Sequence, residues 1–161
     1  MKKLTIVRHA KSSWEYDVID HERPLTESGI TDAGIVSTAL KKMSFLPDFV
    51  ITSDALRAKS TADIFVANLN ISRGIFKQNH ELYDFSGEKL LSVIRGIDNT
   101  FSSVMVFGHN HALTYFVNTF GNKYIDNVPT SGVVIIEFDI DDWKYLTKGN
   151  TIKTIFPRDF R

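Results

Sequence analysis

The stretch KKLTIVRHAKSSW, residues 2–14, decides how the rest of the chain is read. Leu4, Ile6 and Val7 begin a strand of the buried kind, and such a strand ordinarily closes in a neutral turn. Here it runs directly into Arg8 and His9, a permanent cation beside a titratable imidazole. Alone, such a pair is more often surface decoration than machinery. The other strand ends decide between the two.

Outward from this strand, strand-like and helix-like runs alternate. A helix is expected from about Glu27 to Met43, a strand at Asp48–Ile51, a helix from about Asp54 to Asn68 and a weaker strand at Ile75–Gln78. Ser86 reads as the N-cap of a helix over Glu88–Arg95, followed by a strand at Val104–Phe107, a helix at Ala112–Phe120 closed by Gly121, and a strand at Val133–Phe138. Trp143–Leu146 and Ile152–Phe156 read as short strands after turns. This rhythm predicts an α/β fold, a three-layer α/β/α sandwich with a mostly parallel central sheet, because parallel neighbours need crossover helices that cover both faces. The last strands would add an antiparallel edge. The length of 161 residues suits one domain spanning 1–161, with no repeat or low-complexity linker.

Composition narrows the function. Apolar residues are 43% and charged residues 24%, which is ordinary for a folded globular chain. Nineteen Lys and Arg balance nineteen Asp and Glu without a basic cluster, so neither nucleic acid nor an anionic membrane is expected as a partner. The absence of cysteine removes thiolate nucleophiles, disulfide frameworks and zinc–thiolate sites, and it fits a reducing compartment. The apolar run between Lys3 and Arg8 is too short for a signal-peptide core or a membrane span, so a cytoplasmic location is expected.

In open α/β sheets ligands bind beyond the carboxyl ends of the strands. The first end carries Arg8 and His9. The second is followed by TSDALRAKS, residues 52–60, where Ser53 or Asp54 can cap a helix whose first turn then holds Arg57. Helical side chains lean toward their own N-terminus, so Arg57 would reach back over the strand end. A cation there opposes the helix dipole, at a cost of about 0.3–1 kcal/mol unless an anion compensates. The strand at Val104–Phe107 is followed by GHNH, which places His109 just past its end.

A phosphoryl group fits this convergence of Arg8, His9, Arg57 and His109. Guanidinium forks bind its peripheral oxygens in pairs, and helix N-termini add donors. Two arginines supply positioning and charge stabilisation without a metal. One histidine can attack phosphorus while the other stays beside the equatorial oxygens, so the site would form and break a phosphohistidine.

The segments VRHAKSSW, DHERPLTESG, ITSDALRAKSTADIF and VFGHN resemble the histidine phosphatase superfamily (phosphoglycerate mutase-like), in particular its small bacterial SixA-like phosphohistidine phosphatases. The resemblance is colinear from residue 4 to about residue 138. It implies a phosphoglycerate mutase-like fold, His9 as nucleophile, Arg8 and Arg57 as phosphate clamps, His109 as the second pocket histidine, and a two-step mechanism with no metal or other cofactor. Ala10 stands where the superfamily usually has glycine, and His111 where it often has proline; no role carries over to His111. In the register where mutase-like relatives place a glutamate, ELYDFSG offers Asp84, with Glu81 three residues earlier. Asp84 is either a general acid with a raised pKa or a turn residue ahead of the helix, and an imidazole leaving group that is already protonated needs no acid.

The loop from Glu15 to Pro24 should overhang the crevice. Lys11 and Ser12 follow His9 closely enough to touch substrate phosphate, Arg23 reads as an anchor to a carboxylate, and Trp14 as a lip residue or a partly buried one. Asp20 and His21 acquire no role from the sequence.

Three rivals stand beside this reading. A metal-dependent hydrolase would use His109 and His111, completed by His9, His21, Asp54 or Asp84, although two arginines aimed at the same point would repel the cation. Asp139 and Asp141 resemble an aspartyl-phosphate motif but stand at the wrong end of the chain, where a hairpin turn is expected. A non-catalytic phosphate-binding module is the third. The expected product is therefore a phosphatase acting on a phosphorylated protein, such as a phosphohistidine domain, with a small phosphorylated substrate as the alternative.

Overall fold

The computed structural model describes residues 1–161. Six strands, β1 (Lys2–Arg8), β2 (Phe49–Thr52), β3 (Phe76–Gln78), β4 (Ser103–Gly108), β5 (Val133–Phe138) and β6 (Asn150–Ile155), form one sheet in the order β3-β2-β4-β1-β5-β6. The pairs β3/β2, β2/β4 and β4/β1 are parallel, while β5 runs against both of its neighbours. The sheet is thus mostly parallel with an antiparallel end, as the alternation predicts.

Four helices cover it: α1 (Glu27–Lys42), α2 (Leu56–Asn68), α3 (Glu88–Arg95) and α4 (Ala112–Phe120). Side chains alternate across a strand, so each buried strand feeds two cores. Leu4 and Ile6 of β1, Val104 and Val106 of β4, and Val134 and Ile136 of β5 pack with Leu90 and Ile94 of α3 and Leu113 and Phe116 of α4. Val7, Met105, Phe107, Val133 and Ile135 face the other way, onto Val36 and Leu40 of α1 and Phe65 and Val66 of α2. These are the three layers.

Local signals explain the element ends. Thr26 caps α1 by accepting from the Gly29 amide, and Lys41 and Lys42 close its last turn against the dipole. A Cβ at Gly29 would stand 2.3 Å from the Lys11 carbonyl oxygen, so only glycine lets the first turn of α1 rest on the backbone just past His9. The Thr26 amide donates to that same carbonyl, at 2.9 Å.

Three expectations are corrected. Trp143–Tyr145 is a 3-10 turn, not a strand: Asp142 accepts from the Lys144 amide, and the buried Trp143 indole donates to the Phe101 carbonyl. Gly87, at φ 107°, is the N-cap of α3 in place of Ser86. The N-cap of α2 is Ala55, with no side-chain cap, because Ser53 and Asp54 are engaged elsewhere.

Candidate active site

Strand register builds the site. Arg8 pairs with Gly108 across β1 and β4, so the next residues, His9 and His109, emerge side by side beyond the strand ends. Their ring centroids are 5.2 Å apart. On the other side of β4, Thr52 pairs with Phe107, which brings Ser53 beside His109. The Ser53 hydroxyl and His109 Nε2 are 2.8 Å apart. Arg57, in the first turn of α2, is buried and reaches back over these ends. A cavity of about 360 Å³ collects Arg8, His9, Lys11, Ser12, Arg57 and His109, the six residues the strand ends and the loop after β1 nominate.

The tautomers follow from the partners. His9 Nδ1 lies 2.7 Å from the Ala10 carbonyl, which only accepts, so Nδ1 carries the proton and the Nε2 lone pair is free to attack. Ser53 Oγ accepts from the Ala55 amide, and His109 Nε2 is the one acceptor within reach of the buried Ser53 hydroxyl proton, so the hydroxyl donates to Nε2. His109 Nδ1–H is then a buried donor with no partner in the chain, as are Nε of Arg8 and Nε of Arg57. Leaving a buried donor unpaired costs about 1–3 kcal/mol, and three of them around one crevice is an arrangement suited to a group with several acceptor oxygens.

Electrostatics agree. Burial first, then the charges of Arg57, Arg8 and Arg23, lower the His9 pKa to about 3, against the raising pull of the Ala10 hydrogen bond. His109 is lowered to about 2, mainly by burial and then by His9 and Arg57. Arg8 is lowered by burial and by Arg57. Positive charge is concentrated beyond what the protein itself neutralises, and His9 is neutral at ordinary pH.

Residues that sequence reasoning passed over complete the pocket. Asp20, in a 3-10 turn at Asp20–Glu22, accepts from Arg57, from Arg23 and from the Tyr83 hydroxyl. Burial pulls its pKa up, but these three donors outweigh it and hold the carboxyl well below the usual range. Arg23 anchors the loop to the Asp20 carboxylate at 3.1 Å, as expected; it also donates to Ser12 Oγ at 2.7 Å, and its guanidinium stacks on Trp14 at 3.5 Å. Trp14 is a lip residue, 78% exposed. The rings of Tyr83 and Phe85 each stand 5.3 Å from His109. A signal for Asp20 did exist: its i,i+3 spacing from Arg23 in the loop over the crevice.

Asp84 does not join the site. Its Oδ1 accepts from the Ser86 amide and hydroxyl, and its Oδ2 from the Gly87 and Leu90 amides. Desolvation raises its pKa, but these bonds prevail and lower it, opposite to what a general acid needs. It anchors the start of α3. Glu81 is exposed on the 3-10 turn His80–Leu82 and also lies outside the cavity. His111 is exposed at the N-cap of α4, and Asp139 and Asp141 lie in the connection from β5 to β6, outside the cavity. The ligand set of a metal hydrolase around His109 and His111 is not assembled.

The description of the histidine phosphatase superfamily (branch 1) matches residues 4–82. An uncharacterized chloroplastic protein of Arabidopsis thaliana is 31% identical over 121 residues, covering 68% of this chain and 54% of that one, so the chain spans about half the length of this curated relative. The solved structure of the protein histidine phosphatase SixA complexed with tungstate superposes with a TM-score of 0.80 at 20% identity, covering 99% of both chains. Phosphoglycerate mutase from Bacillus anthracis superposes with a TM-score of 0.60 at 18% identity, over 90% of this chain and 95% of that one. The chain has the phosphoglycerate mutase-like fold, and its N-terminal half carries the match to the histidine phosphatase superfamily.

Proposed function

We propose that this protein is a metal-independent phosphatase that works through a phosphohistidine at His9 and removes phosphate from phosphohistidine on a protein in the cytoplasm. The observation that carries the reading is the free Nε2 of a neutral His9 beside the unpaired donors Arg8 Nε, Arg57 Nε and His109 Nδ1. Nε2 forms a bond to phosphorus while the bond to the leaving group breaks, the electron pair leaving with that group. Arg8, Arg57 and His109 donate to the equatorial oxygens, whose charge is what the transition state spreads. Water then attacks phosphorus, the N–P bond breaks, and its electron pair returns to Nε2 as inorganic phosphate departs. Lys11 and Ser12 border the same cavity and add donors at its mouth.

The substrate class follows from the leaving group. The carboxylate lining the crevice is Asp20, held ionised by three donors. It cannot protonate an alkoxide, so a leaving group that is stable without an acid is favoured. The protonated imidazole of a phosphohistidine is such a group. The match to a SixA structure supports the same choice.

Turnover of a phosphohistidine peptide and of an alkyl phosphomonoester, both in chelator, tests the reading. Faster release from the phosphohistidine peptide is expected. Faster release from the alkyl phosphate would favour a small-molecule substrate, and release from neither would leave a phosphate-binding module.

A further inference from the structure

Outside the crevice, three side chains from distant parts of the sequence converge at its rim. His21 Nε2 lies 2.8 Å from Asp54 Oδ1, and His80 Nδ1 lies 3.0 Å and 2.9 Å from Oδ1 and Oδ2 of the same carboxylate. One atom from each of these residues can be chosen so that all three lie within 4.8 Å of one another. We propose that His21, Asp54 and His80 form a binding site for a divalent transition-metal ion of the zinc class, separate from the phosphoryl site.

The donor set suits that ion. Two imidazole nitrogens and one carboxylate are a zinc-type combination that leaves a fourth position for water. Ligands at about 2.0–2.1 Å in a tetrahedron stand about 3.3–3.4 Å apart. The two His–Asp separations would open by about 0.5 Å to admit an ion, and the His21–His80 separation, bounded at 4.8 Å, would settle at the same spacing. Each imidazole would ligate through the nitrogen that now faces Asp54 and keep a proton on the other.

The surroundings hold His21 and leave His80 free to adjust. The Tyr83 ring packs edge-on against His21 at 4.9 Å and stands 5.9 Å from His80. Tyr83 also stands between the cluster and His9: it packs against His109, which in turn faces His9. His21, Asp54 and His80 do not line the phosphoryl cavity, so a cation held there does not compete with Arg8 and Arg57. Its role is that of a clamp. His21 adjoins Asp20, the partner of Arg57, and Asp54 precedes the helix that carries Arg57, so the ion ties together the two segments that place this guanidinium.

The test is equilibrium dialysis of the chelator-stripped chain against micromolar free zinc, with metal counted by mass spectrometry and melting followed in parallel. About one zinc per chain and a raised Tm are expected for the unsubstituted protein. Loss of a partner behind a ligand alone costs about 10–100-fold in affinity, so H21A and H80A should each weaken binding by more than about 100-fold. The His80 side chain is 72% exposed, so H80A should melt like the parent without zinc. H9A should keep the zinc. No bound zinc in the unsubstituted chain, equal affinity in H80A, or loss in H9A with retention in H80A would each overturn the proposal.

Discussion

Asp20 holds Arg57 by both terminal nitrogens: its backbone carbonyl accepts from Nη1 at 2.7 Å and its Oδ2 from Nη2 at 2.9 Å. The Nε–H edge is left without a partner in the chain. A guanidinium fixed at one end can present its other edge in a single orientation, and positioning is most of what phosphoryl transfer asks of a protein. The buried cation near a helix N-terminus, which opposes the dipole, is thus compensated by a loop carboxylate.

Removing that hold should therefore lower catalysis without removing a group that touches phosphate. D20A is expected to reduce kcat/KM by about 10- to 100-fold, and D20N, which keeps an acceptor oxygen, by less. Steady-state kinetics on an aryl phosphate checks this. An unchanged or higher kcat/KM in D20A would mean that Asp20 competes with substrate for Arg57.

Asp84 should behave as a helix anchor. D84A strips four acceptor contacts from the start of α3, and a loss of about 2 kcal/mol in unfolding free energy is expected, at the upper end for a lost cap. The shape of the pH–rate profile should not change. Loss of its basic limb in D84N, with the fold intact by melting, would instead mark Asp84 as the general acid.

His9 and His109 are buried in the neutral form, with pKa values lowered to about 3 and about 2. An unfolded histidine titrates near 6.5, so below that pH the unfolded chain binds more protons than the folded one. Stability is therefore full above about pH 6.5 and falls as the pH drops from there toward the folded values. Between pH 8 and pH 5 each imidazole should cost about 2 kcal/mol. Urea melts at the two pH values check this, with H9A losing the share that belongs to His9. Saturating phosphate should restore part of the loss, since its charge favours the imidazolium forms.

The central layers and the four cationic or titratable groups were legible in the sequence for physical reasons. Buried strands advertise themselves as apolar runs, and Arg8, His9 and His109 each sit directly at such a run's end. α4 and β5 have the expected bounds, Ala112–Phe120 and Val133–Phe138, because Gly121 and the apolar run mark them sharply. What stayed hidden depends on contacts across the fold. Asp20 meets Arg57 across 37 residues and Ser53 meets His109 across 56, so no local period carries either pair. The helix caps failed for a related reason. Ser53 and Asp54 read as caps of α2, yet one bonds His109 and the other two histidines at the rim. His80 carried no signal at all, because its partners lie in two other segments.

The proposed phosphatase reaction is covalent at His9. The direct measurement is to mix the protein with 32P-labelled phosphohistidine peptide in chelator, quench early, and locate the label by mass spectrometry after digestion. An acid-labile, alkali-stable phosphate on His9, absent from H9A together with turnover, is the predicted result. Label or full turnover persisting in H9A would contradict it.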